Sequence, residues 1–179
     1  GRLTRRLAAI LAADMVGYSR LMEADEAGTI ARQLAHREEL IDPKIAEYTG
    51  RIFKTTGDGL LVEFASVTDA AQCAVDIQRA MAEREAGVPE ERRIRYRIGI
   101  NLGDVVIDGD DILGTGVNIA ARLEALAEPG GIRISRAVHD HVKTTPGLRF
   151  TDLGEKQVKN ISEPISVYAI EFDAASPVE

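Results

Sequence analysis

Two aspartates stand where apolar segments of this chain end. Asp14 lies at the carboxyl end of the run Leu7–Met15, and Asp58 lies between Gly57 and Gly59 in Lys54-Thr-Thr-Gly-Asp-Gly-Leu-Leu-Val-Glu-Phe64. An Asp-Gly pair between apolar runs is a hairpin signal. If the two strands are neighbours, the carboxylates meet at one strand end, where like charges repel and a cation is the natural compensation. Hard oxygen ligands without a nearby His or Cys suit Mg²⁺ or Mn²⁺ rather than zinc. Mg²⁺ typically uses one or two carboxylates plus substrate phosphates, which makes this a phosphoryl-transfer arrangement. Each aspartate also has a purely structural reading. Asp58 serves the turn itself, and Asp14 caps the helix that begins near Ser19 and Leu21.

A third group follows a polar turn, Asp108-Gly-Asp-Asp111. Asn118 and Arg122 are spaced i, i+4 on a predicted helix and share one face. Asn is a poor residue for a helix interior. The structural alternative for Arg122 is an ion pair with an acid on a neighbouring element. Three further residues invite chemistry and are read as structural. His36 falls on the polar side of its helix and is expected to be solvated. His139 and His141 are two apart, so they point to different helix faces and make a poor metal pair. The single cysteine, Cys73, sits on an apolar helix face as a small buried hydrophobe.

The elements that must position these groups are legible from periodicity. Residues 1–6 read as a linker end, and Leu7–Met15 as a buried strand. A helical pattern runs from Asp25 to about Tyr48, with Pro43 marking a kink or a second helix, and Gly50 stopping it. Strands are predicted at 51–55 and 60–64, then a helix capped by Ser66 with the stripe Val67, Ala70, Ala71, Ala74, Ile77 and Met81. Ile94, Tyr96, Ile98 and Ile100 alternate with Arg95, Arg97, Gly99 and Asn101, which predicts a strand with one solvated face. Gly103 is read as a turn into a partner strand over 104–107. A helix over 117–126, a strand over 132–135, a helix over 137–142 and a final hairpin of strands near 148–158 and 165–172 complete the order. The tail from Ala174 is expected to be frayed. The order β-α-α-β-β-α-β-β-α-β-α-β-β predicts an α+β sandwich, helices packed on a mainly antiparallel sheet.

These motifs, taken together and in order, resemble the class III adenylyl/guanylyl cyclase catalytic domain. The resemblance rests on Ala13-Asp14-Met-Val-Gly-Tyr-Ser19, Lys54-Thr-Thr-Gly-Asp58-Gly, Arg97-Ile-Gly-Ile-Asn-Leu-Gly103 and Asp111-Ile-Leu-Gly-Thr-Gly-Val-Asn118-Ile-Ala-Ala-Arg122-Leu, spread over nearly the whole chain. It implies a ferredoxin-like sheet working as a head-to-tail homodimer, with active sites shared between subunits. It also implies that Asp14, Asp58 and the backbone carbonyl of Met15 hold two Mg²⁺ or Mn²⁺ ions per site. Lys54 and Asp111 then correspond to the purine-reading pair, supplied by the opposite subunit. Asn118 corresponds to the residue that positions the ribose, and Arg122 to the one that stabilises the transition state. Lys159, in Gln-Val-Lys-Asn, corresponds more loosely to the lysine that grips the triphosphate. Ala12 stands where the family often has phenylalanine, Leu113 where an aromatic is common, and the 107–111 loop is short.

Hydrogen-bond logic selects the base. Adenine offers an acceptor at N1 and a donor at the C6 amine, and guanine reverses both. Lys54 is donor only and an ionised Asp111 acceptor only, so the pair fits adenine. The adjacent Asp110 leaves a one-residue register slip open. The expected activity is conversion of ATP to 3′,5′-cyclic AMP and pyrophosphate. The alternatives are a guanylate cyclase and a cyclase-like domain that binds nucleotide without turnover.

Composition narrows the classes further. The 179 residues suit one catalytic domain; they are 45% apolar and 28% charged, an ordinary globular profile. A net charge of −7 and an aromatic content of 4% argue against an RNA-binding module or a nucleic-acid partner. The longest apolar run near the start is too short to span a bilayer, so no direct membrane contact is expected of this segment. A cytoplasmic catalytic domain is expected, with the full-length protein free to be membrane-attached. The absence of an initiating methionine suggests a piece of a longer polypeptide.

Overall fold

A computed structural model describes residues 3–173. The predicted frayed tail lies outside them. Strand β1 (Thr4–Met15) is the spine, with β3 (Gly59–Phe64) on one side and β4 (Tyr96–Asp108) on the other. The strand order is β2-β3-β1-β4-β6-β8-β7, where β2 is Arg51–Thr55, β6 Ile132–Ser135, β7 Arg149–Lys156 and β8 Ile165–Glu171. The short strand β5 (Asp111–Leu113) pairs back on β4. Among these pairings only β4 with β6 is parallel. The fold is α+β, helices on a mainly antiparallel sheet.

Both faces of β1 are covered, which explains its unbroken apolar run. Ala9, Leu11, Ala13 and Met15 face one core together with Phe64, Ile98, Ile100 and α4 (Val67–Glu85). Ala8, Ile10 and Ala12 face a smaller core roofed by α5 (Thr115–Leu126). The same period of two puts Asp14 on the α5 side. Ser66 caps α4 by accepting from the Asp69 N–H at 3.2 Å, as predicted. Cys73 is fully buried on that helix.

Several expectations are corrected. Thr4–Arg6 belong to β1 rather than to a linker, because β4 is long enough to pair them, Thr4 opposite Ile107. Gly103 is not a turn: β4 runs straight through it, and α5 lies close above. A Cβ there would stand 3.5 Å from the Cα of Gly116 and 2.9 Å from the Asn101 amide nitrogen. Strand glycines often mark such approaches of backbone. The β4 face carrying Arg97, Gly99 and Asn101 is therefore not solvated. Asn101 is buried and donates to the Gly116 carbonyl at 3.0 Å, and Arg97 Nε donates to the Ala127 carbonyl at 2.8 Å.

A short helix, α1 (Tyr18–Ala24), precedes the pattern predicted from Asp25 to Tyr48, which is α2 (Glu26–His36) followed by α3 (Asp42–Glu47), with Pro43 in the first turn of α3 as the second start expected there. Asp25 separates the first two and caps α2, accepting from the Gly28 N–H at 3.0 Å. A wide π turn, Arg37–Ile41, precedes α3 and admits the proline. His36 is buried rather than solvated, 3.6 Å from Glu85 at the end of α4. The polar pattern around it misled because its partner, Glu85, is itself charged and buried. No helix among the described residues is long and apolar enough to cross a membrane. The last helix, α6 (Arg136–Val142), presents His139 to Tyr168 in a ring stack at 3.9 Å and leaves His141 exposed.

Candidate active site

Asp14 is the penultimate residue of β1, and Asp58 lies in the turn between β2 and β3. The ladder sets Asp14 opposite Gly59, and the Met15 N–H donates to the Asp58 carbonyl at 2.8 Å, fixing the two segments side by side. Gly59 permits the approach. A Cβ on it would sit 2.6 Å from the Ala13 carbonyl oxygen and 3.3 Å from Asp14 Oδ1. Neither Gly57 nor Gly59 has a positive φ, so the glycines here serve proximity rather than the left-handed turn geometry that the motif suggests. The Thr56 hydroxyl accepts from the Gly59 N–H at 3.0 Å and donates to Asp58 Oδ1 at 3.4 Å. Gln33 Nε2 donates to the Gly57 carbonyl at 2.8 Å, tying α2 to the turn.

Asp14 does not cap α1, whose first turn is entered through left-handed Gly17 without any side-chain cap. Its Oδ1 is buried and no donor reaches it. Burial and then the adjoining Asp58 carboxyl push its pKa up to about 6. A third carboxyl, Glu124 of α5, shares this environment. Burial, then the charge and hydrogen bond of Asp14, push Glu124 up to about 8, against a smaller pull from Arg97. Asp14, Asp58, Glu124, Ala12, Leu61 and Ala121 line one cavity of about 220 Å³. Three carboxyls, one with an orphaned buried oxygen, on an otherwise largely apolar lining fit a hard divalent cation. Among the described residues no three His, Cys, Asp or Glu side chains are arranged to hold a metal by themselves, so an ion bound here would take further oxygens from elsewhere. The Met15 carbonyl belongs to the same strand end.

Sequence reasoning missed Glu124. The signal was present: Val117, Ala120 and Glu124 recur at three- and four-residue spacing, which puts a glutamate on the buried stripe of α5. A buried acid without a partner is costly and therefore informative.

The remaining predicted residues lie apart from this cavity, since none of Lys54, Asp111, Asn118, Arg122 and Lys159 lines it. Lys54 and Asp111 do find each other, Nζ to Oδ1 at 3.5 Å. A bulge at Phe53 shifts the β2–β3 register just before Lys54 and bends the strand where that side chain leaves it. Asp111 opens β5, and its Oδ1 accepts from the Ile112 N–H at 2.8 Å. Asp110 contributes instead its carbonyl, to Arg51 at 3.3 Å, so of the two neighbours it is Asp111 whose carboxyl faces the lysine. Asn118 is exposed and Arg122 half-buried on the outer side of α5. Arg122 has no carboxylate partner among the described residues, so its structural alternative finds no support. Lys159 is exposed in the turn after β7, beside Asn160, which adopts a φ of 65°.

Comparison with known proteins gives a consistent answer. The family model of the adenylate and guanylate cyclase catalytic domain matches residues 5–171. A Rhizobium meliloti protein named "Putative adenylate cyclase 3" is 49% identical over 166 residues, covering 93% of this chain and 28% of its own length. The adenylate cyclase of Streptomyces coelicolor is 33% identical over 79% of this chain, which spans 35% of that relative. The crystal structure of an adenylate/guanylate cyclase/hydrolase from Silicibacter pomeroyi is 52% identical. It superimposes with a TM-score of 0.90 over 96% of this chain and 100% of that one. This chain thus spans about a third or less of the first of these curated relatives, whose remaining length lies outside the match.

Proposed function

We propose, from the premise that this chain belongs to the adenylate and guanylate cyclase catalytic domain family, that it is the catalytic domain of an adenylate cyclase. The reaction is attack of the ATP 3′-hydroxyl on the α-phosphorus, giving 3′,5′-cyclic AMP and pyrophosphate. One observation carries the reading: in a single chain the two aspartates share a cavity that none of the other five candidate residues lines. Such a division makes chemical sense if two copies meet, so that Asp14 and Asp58 of one subunit face the Lys54, Asp111, Asn118, Arg122 and Lys159 of its partner.

Asp14 and Asp58, with the Met15 carbonyl, are the oxygens that would hold Mg²⁺ or Mn²⁺. When bound, such ions supply Lewis-acid activation of the 3′-hydroxyl and neutralise the departing pyrophosphate. The chain's own side chains do the rest. Lys54 donates to adenine N1 and Asp111 accepts from the C6 amine; the ion pair between them holds both ready. Guanine would place a donor against a donor and an acceptor against an acceptor, a mismatch worth up to about 10⁴ in discrimination where the site is buried. Asn118 orients the ribose, and Arg122, one helical turn on, offsets the charge that develops at the α-phosphate. Lys159 holds the terminal phosphates.

The test is cyclic nucleotide formation from Mn²⁺-ATP and Mn²⁺-GTP in competition, with the dimer confirmed in the same solution. Cyclic AMP as the main product supports the reading. Cyclic GMP as the main product would make the protein a guanylate cyclase, and no turnover by a confirmed dimer would leave a nucleotide-binding domain.

A further inference from the structure

Helix α5 has two working faces. Asn118 and Arg122 occupy the outer one, while Ala120 and Glu124, one turn apart, press on the sheet. They can do so because of Gly99. A Cβ at that position would lie 2.4 Å from the Ala120 carbonyl oxygen and 2.2 Å from the Glu124 nitrogen, so any larger residue would lift the helix off β4. One turn earlier Gly116 seats the helix on β4 in the same way: a Cβ on it would lie 2.5 Å from the Asp104 carbonyl oxygen. The consequence falls on the neighbouring strand. Ala12 pairs with Gly99 and Asp14 with Arg97, so the close seat of α5 brings the Glu124 carboxyl into the same cavity that Asp14 lines. Glu124 is 9% exposed, and the chemistry above gives it no task.

We propose that Glu124 is a positioning residue that fixes the orientation of Asp14, tying α5, and with it Asn118 and Arg122, to the metal-binding aspartates of its own subunit. This rests on the reading of Asp14 as a metal ligand. Partners of metal ligands hold them in the productive orientation, and losing one typically costs about 10–100-fold in metal affinity. The helix that offers Arg122 outward thereby takes its own seating from the site beneath it. A merely structural Glu124 would fill volume under α5 and leave metal affinity alone.

The experiment measures Mn²⁺ binding to the full chain by the loss of the free-ion electron paramagnetic resonance signal, with 3′-deoxy-ATP present so that no turnover occurs. Glu124→Leu fills the space without a polar group, and Glu124→Gln keeps an amide that can donate to Asp14. The expected result is Mn²⁺ affinity about 10–100-fold weaker in the leucine variant and within about threefold of wild type in the glutamine variant. In turnover, the leucine variant should need more metal while keeping its KM for ATP at saturating Mn²⁺. Should that variant not fold, Glu124→Asp, with its carboxyl drawn back by one methylene, should show the same weakening. Wild-type Mn²⁺ affinity in the leucine variant, or equal loss in both the leucine and glutamine variants, overturns the proposal. Asp14→Ala is the control for the premise. If it binds Mn²⁺ like wild type, the metal-site reading itself fails and the positioning role falls with it; if it loses Mn²⁺ while Glu124→Leu does not, only the positioning role fails.

Discussion

Two acidic sites, one on each side of the sheet, meet the cost of burying a carboxyl in opposite ways. Glu85, at the end of α4, is 4% exposed and paired with a cation. It accepts from Arg32 at 2.5 Å and from the Ile94 N–H at 2.7 Å, with His36 alongside. Asp14, on the other face, has a buried oxygen without a donor and two more carboxyls, Asp58 and Glu124, as neighbours. The first arrangement pairs its acid with a cation and ties helices α2 and α4 to the segment leading into β4. The second leaves a buried carboxylate oxygen unanswered among three carboxyls in a cavity, which supports the proposal that a cation and its substrate bind there.

The sharpest way to break this contrast is to remove one acid from each cluster. Asp58→Ala should lower cyclase turnover by more than about 10³-fold, the scale of a lost electrostatic centre, while the metal-free protein stays folded. Glu85→Ala should do the reverse. Its loss strands Arg32 and the Ile94 amide and should cost about 3–5 kcal/mol in denaturant unfolding, with turnover per folded molecule kept. If Asp58→Ala were instead the destabilised variant, the two clusters would not differ in kind.

Smaller in size, but more diagnostic in sign, is Asp14→Asn. Removing one of several crowded like charges should stabilise the metal-free protein by about 1 kcal/mol at pH 8 while abolishing activity. A fall in unfolding temperature would contradict that. The pH dependence follows from the same shifts. Asp14 and Glu124 have folded pKa values raised to about 6 and about 8, so the folded state binds more protons than the unfolded one between roughly pH 4 and 8. Their contribution to stability is therefore full in acid and is lost as pH rises through 6 and then 8. Mn²⁺ should raise the unfolding temperature more at pH 8.5 than at pH 5.5. In the other cluster the sign reverses. Burial holds His36 below its ordinary 6.5, so its contribution is present above that pH and lost as pH falls through the depressed value. The smallest effect is expected at the exposed pair Lys54–Asp111 proposed to read the base. Lys54→Met should narrow the preference for ATP over GTP by about tenfold and leave metal binding unchanged.

Much of this was legible in the residues themselves. The apolar runs gave the strands, Ser66 the cap of α4, and the Asp14 and Asp58 motifs the cavity that the structure builds. What escaped notice had physical reasons. Gly103 reads as a turn because a glycine looks the same in one dimension whether it bends a strand or makes room for a helix. Arg97 and Asn101 read as solvated because period-two alternation cannot tell water from a second helical layer. His36 read as exposed because its partner, Glu85, is polar and distant in sequence. Glu124 lay on the buried stripe of α5, but its meaning depends on Gly99, Asp14 and Asp58, three residues on three other segments. Contacts of that order are not written in any local pattern.

The account stands on a site divided between two copies of the chain, and mixing tests this directly. Asp58→Ala and Arg122→Ala chains, each inactive alone, should regain activity when combined. The yield should be about a quarter of wild type, since half the dimers are mixed and each of those keeps one of its two sites intact. Continued inactivity of the mixture, with subunit exchange demonstrated, would contradict the shared site.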